Sequence, residues 1–556
     1  MARILILALA AGAALRVVAG DCARVVVDTN ALPADKAFVG EMLKTRIAER
    51  TALSDTGTAL TVRYELSQKL TGDRATVSVT GDVAVVRAGR FRGLVSGTGE
   101  LLRSIRYGAT SFSLASGERT FDPKCPMRLA YWARHFHNWY HMASADELKR
   151  YAEDLALWGV NAFDFQYCYP EVNLDHATAD EIAAFERTSR RLVEHLARLD
   201  CDFETFGGGN QIPDDWPDSL RGVSPKRGEW GGGCPSKPEA LARMVDLRKQ
   251  ALATLKGVDV AYMRYWPYDE GGCACAACRP WGGNGYPKIC RLMNEMNRKA
   301  FPGVKTVVST WQFDDEDWRT FNAYLATNDV SWIDCLLITD FDLHVPNHPF
   351  NHPVAKPIPV VTFPEISMWG RLPWGGFGAI AMPKRIEAFF RHSEKITSGF
   401  QYYSEGLSED INKAIVTRLH VDPSVKVEDV LRDYCRYEYP GADPEDFVRL
   451  VTQMEKTQPM NEWQKTADRA AWQGVFDEML ELVRRMDAQI LPRMRRAWRW
   501  RLVYLRSVVD HELFAAPGEK SEALRAAYGE IIDLYHAERH AGDFNDKYHR
   551  YVRPPL

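Results

Sequence analysis

Between Met127 and Glu405 the chain carries eight short runs rich in β-branched and aromatic residues, most of them separated by long amphipathic stretches. No other feature constrains the fold so strongly. The runs are 127–133 (MRLAYWA), 161–167 (NAFDFQY), 202–207 (DFETFG), 261–267 (AYMRYWP), 305–313 (KTVVSTWQF), 333–341 (IDCLLITDF), 358–365 (IPVVTFPE) and 399–405 (GFQYYSE). Between them, Ala145 to Trp158, Asp180 to Leu199, Pro238 to Leu255 and Pro287 to Ala300 have helical spacing. Parallel strands need crossover connections, so this alternation specifies a parallel sheet covered by helices. Eight strands in about 280 residues is the size of a TIM barrel, so an α/β fold of the (β/α)8 class is predicted for residues 125–406.

Flanking regions have different patterns. Residues 21–124 read as a small α/β domain: strands ARVVVDT, LTVRYEL and ATVSVTGDVAVVRAG, the last folded back at Gly81-Asp82, with helices over Lys36 to Thr51 and Phe91 to Ile105. Residues 407–556 read as helical, with amphipathic stretches at Glu409–His420, Val427–Tyr437, Pro444–Met460, Ala467–Ile490, Arg493–Ala515 and Glu519–Ala541. The basic run Arg493 to Arg501 (RMRRAWRWR) reads as the solvated face of one of these helices, with Trp498 and Trp500 packed inward. This tail is expected to cap the barrel or to join two copies into a homodimer. Three regions suit 556 residues, since one core seldom grows past about 250–300.

The first twenty residues have an early Arg, an apolar stretch and a small-residue end at Val18-Ala19-Gly20, the pattern of a secretory signal peptide. A secreted or periplasmic chain starting near Asp21 is expected. No later segment is apolar enough to span a bilayer. A formal charge of −4 without a long basic stripe argues against a nucleic-acid binder. Sixteen tryptophans and 22 tyrosines suit a protein that stacks rings on sugar faces.

Polar and aromatic residues converge on the C-terminal ends of the barrel runs, where barrel enzymes keep their chemistry. The first run ends at Arg134, His135 and His137, and the second at Tyr167. After the fourth come Trp266, Tyr268, Asp269 and Glu270, after the fifth Trp311, and after the sixth Asp340 and Asp342. Glu365 and Trp369 follow the seventh, and Tyr403 and Glu405 close the eighth. Adjacent acids beside Trp266 and Tyr268 suit a carboxyl group whose pKa is raised for general-acid work. Two carboxyl groups flanking a glycosidic bond are the minimum machinery of glycoside hydrolysis. Glu270, Asp340 and Glu365, with Asp269 beside the first, are the candidate catalytic acids; Arg134, His135, His137, Tyr167, Trp266, Tyr268, Trp311, Asp342, Trp369, Tyr403 and Glu405 are candidate carbohydrate binders. No cofactor is expected. Cys273, Cys275, Cys278 and Cys290, spaced C-x-C-x2-C-x11-C, read as a structural group, with thiolate zinc and two disulfides both open.

At these residues the chain resembles glycoside hydrolases built from a small α/β domain, a barrel and a helical tail. Tyr268-Asp269-Glu270-Gly271, Asp340-Phe341 and Pro364-Glu365 resemble, in order, three motifs of the alpha-glucuronidase family: a strand-four acid, a strand-six Asp-Phe and a strand-seven Glu that position water. That resemblance implies an exo-acting, inverting hydrolase. The basic residue that this family sets ahead of its acid to hold a uronate is replaced by the stretch Arg264-Tyr265-Trp266-Pro267. Asp269-Glu270 is also similar to the Asp-Glu pair of the N-acetylhexosaminidases, without their preceding Gly-Gly. The Cys-x-Cys-x-x-Cys and the segment Asn412 to Pro440 resemble secreted bacterial barrel proteins of a family of unknown function, numbered 4838. A glycan-binding barrel without activity is the alternative from another class.

Overall fold

The eight runs pair edge to edge, all parallel, into a closed barrel. The computed structural model describes residues 21–134, 138–167, 179–213, 216–223, 232–267, 272–340, 353–367, 369–371 and 377–536. Ahead of the barrel lie β1 (Arg24–Asp28), β2 (Ala59–Leu66), β3 (Ala75–Thr80), β4 (Val83–Ala88), β5 (Arg106–Tyr107), β6 (Phe112–Ser113) and β7 (Gly117–Phe121). Its staves are β8 (Met127–Trp132), β9 (Ala162–Asp164), β10 (Asp202–Phe206), β11 (Tyr262–Tyr265), β12 (Lys305–Ser309), β13 (Cys335–Asp340), β14 (Val360–Pro364) and β15 (Gly399–Ser404). Each pairs with the next in sequence, and β15 closes on β8 from Gly399↔Met127 to Ser404↔Trp132.

The helices are α1 (Phe38–Arg50), α2 (Phe91–Ser104), α3 (Trp139–Met142), α4 (Ala145–Trp158), α5 (Ala179–Arg198), α6 (Pro238–Thr254), α7 (Tyr286–Ala300), α8 (Asp315–Thr327) and α9 (Pro383–Ser393). The tail adds α10 (Asp410–Val421), α11 (Val427–Glu438), α12 (Pro444–Thr457), α13 (Met460–Gln464), α14 (Arg469–Gln489), α15 (Trp498–Ala515) and α16 (Glu522–Leu534). Helix α4 shows why the boundaries are sharp. Ser144 and Glu147 form a capping box at its start, and Gly159 ends it with φ +116°, a conformation that side-chain-bearing residues avoid.

The N-terminal sheet has the order β1-β2-β4-β3-β7. Strand β7 adds an edge the sequence reading did not contain: GERTF is polar and exposed at four of five positions, so it lacks the alternation that marks a half-buried strand. Helix α2 lies between this sheet and α4 and is buried on both faces. Its glycines permit that: a Cβ at Gly97 would meet Val86 at 2.9 Å, and one at Gly99 would fall 1.8 Å from the Leu157 carbonyl oxygen.

Buried ion pairs join the three regions. Asp73 accepts from Arg128 Nη2 of β8 (2.7 Å) and Asn161 Nδ2 (3.0 Å), and Arg50 of α1 donates to Glu438 of α11 (2.8 Å). The basic run departs from expectation in part: Arg493 and Arg496 are exposed, but helix α15 begins only at Trp498, and the Arg499 side chain is largely buried, pairing with Asp410 (2.8 Å) and Asp154 (3.0 Å). Three acids at one buried position, with Glu438 the third, require a cation there. Trp500 packs inward fully and Trp498 partly, against Tyr151. Among the described residues no helix is long and apolar enough to cross a membrane.

Candidate functional site

Strand pleating decides which side chains enter the barrel. On β8, Tyr131 points in while Trp132 stacks outward on Tyr140 at 4.7 Å. The inward set builds an aromatic floor near the C-terminal ends: Tyr131, Trp266, Trp311, Phe363 and Tyr403. Trp266 and Trp311 stack at 5.4 Å, and Phe363 meets both edge-on at 5.2 and 5.7 Å. Tyr131 closes the ring at 5.6 Å from Tyr403 and 6.2 Å from Phe363. Trp266 and Trp311 keep partial exposure.

Beside the floor is a polar knot that the sequence reading did not single out. Asp164 of β9 accepts from Arg264 Nε (2.8 Å) and Gln401 Nε2 (2.7 Å); Glu204 of β10 accepts from the same two groups at 3.1 and 2.9 Å. Burial and the neighbouring Asp164 charge push Glu204 well above the usual carboxylate range, and burial raises Asp164 despite Arg264. Burial alone would lower Arg264, but Asp164, Tyr131 and Glu204 hold it above its ordinary value. The guanidinium also lies over the rings of Tyr131 (4.7 Å) and Trp266 (4.9 Å).

At the rim, Glu365 directly follows β14 and bridges to Tyr403. Its carboxylate accepts from the backbone amides of Ser367 and, at 3.2 Å, Trp369, an arrangement that holds it in one orientation. On the adjacent strand Glu405 accepts from Tyr403 Oη at 2.6 Å. Burial pushes its pKa well up, the Tyr403 hydroxyl opposes this, and the carboxylates of Glu409 and Glu365 add to it. Glu409 fastens the turn below by accepting from Ser404 Oγ (2.7 Å) and the Glu405 amide (2.6 Å). Five buried carboxyl or amide oxygens of the barrel, Asp164 Oδ1, Gln166 Oε1, Glu204 Oε2, Gln401 Oε1 and Glu405 Oε2, have no hydrogen-bond partner among the described residues. The amide oxygens call for O–H or N–H donors, which a polyhydroxylated ligand supplies, whereas the buried Glu405 carboxyl holds a proton to donate.

The expected residues divide into groups. Trp266, Trp311 and Tyr403 meet in the floor, and Glu365 and Glu405 stand on neighbouring strand ends. Asp340 ends β13 opposite Pro364, one strand from Glu365. Trp369 is half-buried under Arg385, 4.7 Å above its ring. Arg134 and Tyr167 fall on the helix-facing side, because both continue the outward parity of Trp132 and Phe165. Arg134 donates to Ser189 Oγ (2.7 Å) and lies 3.9 Å over Phe185, where burial lowers its pKa to about 9; Tyr167 packs on Phe203. His135, His137, Tyr268, Asp269, Glu270 and Asp342 lie outside the described residues. Missed in the sequence were Gln166, Asp164, Glu204 and Gln401, although the alternation Phe163-Asp164-Phe165-Gln166 sets two polar residues on one face of the strand.

The cysteine group needs correction. Cys290 sits on α7 against Tyr286, and Cys234 takes its place: Sγ atoms of Cys234, Cys273, Cys275 and Cys278 all lie within 4.8 Å of one another. The ten cysteines among the described residues are thiols, without a disulfide. Cys273 is held well below the ordinary thiol range by a hydrogen bond from the Cys278 thiol and by the amides of Cys275 and Val223.

Fold and site together define a barrel of the kind found in glycoside hydrolases. Among solved structures, the chain is similar to a family 89 glycoside hydrolase from Clostridium perfringens in complex with 2-acetamido-1,2-dideoxynojirmycin: 12% identity, TM-score 0.61, over 90% of this chain and 64% of that one. It is similar also to a family 115 4-O-methyl-alpha-glucuronidase with specificity for decorated arabinogalactans (11%, 0.60, 96% and 78%). A third is a family 138 enzyme targeting pectin rhamnogalacturonan II (10%, 0.55, 92% and 92%). The chain thus spans about two thirds of the family 89 structure's length. No protein-family model matches the chain, family 4838 included, and no curated protein matches it in sequence.

Proposed function

We propose that this chain is an exported glycoside hydrolase that removes a terminal sugar from a poly- or oligosaccharide with inversion, in the manner of an alpha-glucuronidase. The observation that carries the reading is Glu365 and Glu405, two buried carboxyl groups on adjacent strand ends beside a five-ring aromatic floor. Rings of this kind stack on the apolar face of a sugar, and carboxyl groups bind its hydroxyls. In the proposed reaction Glu270 protonates the leaving oxygen, with Asp269 beside it. Asp340 and Glu365 position and deprotonate the attacking water. Glu405, which holds its proton through burial, donates to a sugar oxygen, and Gln166 accepts from a sugar hydroxyl. The fold shared with families 89, 115 and 138 supports this assignment.

One observation favours a second substrate. The Arg264 guanidinium is committed to Asp164 and Glu204, which removes the cation that a uronate carboxylate would seek. An N-acetylhexosaminide needs no such cation, and the family 89 relative was solved with an acetamido compound.

The test is turnover of a panel of aryl glycosides, uronides and N-acetylhexosaminides included, by the native chain and Glu365→Gln. Loss of about 10²–10⁴-fold in kcat with unchanged thermal unfolding is expected. NMR of the first anomer released checks inversion. Full activity in Glu365→Gln overturns the assignment, and glycan binding without turnover by the native chain replaces it with a glycan-binding barrel.

A further inference from the structure

We propose that Cys234, Cys273, Cys275 and Cys278 bind one zinc ion as a closed tetrathiolate site. Their sulfurs lie within 4.8 Å of one another, with Cys234 Sγ at 3.7 Å from Cys275 Sγ and 3.9 Å from Cys278 Sγ. A tetrahedron with metal–sulfur bonds of about 2.3 Å has sulfurs about 3.8 Å apart. Two disulfides would instead bring the atoms into two pairs of about 2.05 Å, with the pairs drawn apart. Soft sulfur donors in a four-fold set select zinc over the hard cations.

The surroundings are built for thiolates. The amides of Cys275 and Val223 donate to Cys273 Sγ, the Ser236 amide to Cys234 Sγ, and the Ser236 hydroxyl lies 3.1 Å from Cys278 Sγ. Four thiolates around a divalent ion leave a net double negative charge, and N–H and O–H donors to sulfur offset it. The backbone fits equally closely. Within the loop behind β10 the Cys234 N–H donates to the Leu220 carbonyl at 3.1 Å, and the Ala274 N–H donates to the Val223 carbonyl at 2.6 Å, which lays the segment behind β11 against that loop. A Cβ on Gly222 would sit 3.2 Å from Cys273 Sγ. Gly272 has φ +79°, and a Cβ there would fall inside the Trp281 indole.

Four protein ligands leave no open position, so the metal is structural. It clamps the segment that follows Asp269-Glu270 in sequence to the loop behind the preceding strand. Binding releases the thiol protons, and the ion stabilises only the folded arrangement.

The full chain, produced in zinc-supplemented medium and purified without chelator, is analysed by elemental mass spectrometry and native mass measurement. One zinc per chain is expected, and cobalt(II) exchange should give the intense visible bands of a tetrahedral thiolate complex. Cys234→Ser and Cys278→Ser should each lose the metal, whereas Cys290→Ser and Cys435→Ser keep it. Ser236→Ala, which retains all four sulfurs, should weaken zinc in chelator competition by about tenfold. A native chain without metal, carrying either four reactive thiols or two disulfides, overturns the site. These readings do not depend on turnover: a chain with one zinc and no glycosidase activity keeps this site and loses the hydrolase.

Discussion

Two pairs of acids in one barrel meet different conditions. Asp164 and Glu204 share one guanidinium and one amide; the single cation answers one charge, and burial beside Asp164 pushes Glu204 toward its protonated form. Glu365 and Glu405 stand at the rim, oriented by amides and a tyrosine hydroxyl, and each raises the energy of a second charge nearby. The same residue types therefore serve two ends. A cation from β11 and an amide from β15 make the first pair part of the scaffold; Glu405, at the end of that same β15, faces the carboxylates of Glu409 and Glu365 and adjusts its charge by holding a proton.

The comparison breaks most sharply at Arg264. Arg264→Met leaves two buried carboxyl groups without their cation and should cost about 3–5 kcal/mol, read by urea unfolding. That loss should shrink toward acid, where both carboxyls can be neutral. A destabilisation equal at pH 5 and pH 8 would refute the shared-cation account. Glu405→Gln tests the rim with a smaller effect. A carboxyl whose folded pKa exceeds the ordinary 4.5 binds more protons folded than unfolded above that value, so the native chain should lose stability as pH rises past it. The glutamine variant should show a flatter profile over the same range by differential scanning calorimetry. Smallest is Trp311→Ala, which removes one stacked partner worth about 0.5–1.5 kcal/mol. It should raise KM or glycan Kd several-fold with kcat little changed.

Local periodicity made the barrel legible. All eight strands could be placed because each run is rich in β-branched and aromatic residues and most are separated by helical stretches, and strand ends then marked Trp266, Trp311, Tyr403, Glu365 and Glu405. Partners separated along the chain were not legible. Gln401 meets Asp164 across 237 positions and Arg264 meets it across 100, distances at which no spacing rule operates. The cysteine set failed for the same reason: Cys290 is near in sequence, but Cys234 is near in space. Arg134 and Tyr167 show the limit of reading strand ends without parity, since the residue after a strand can face either side. The basic run was legible only in part: Arg493 and Arg496 are exposed, whereas Arg499 answers three buried acids.

The ion pairs across the regional boundaries bear on how such a barrel can be inherited. Asp73 lies in the first region, but two of its partners, Arg128 and Asn161, belong to the barrel. Arg371 after the seventh stave finds Asp510 in the tail, which also holds Arg506. Excision at either boundary would strand a buried guanidinium. The three parts are therefore not interchangeable cassettes: recombination that swapped one would have to carry its counter-ions along.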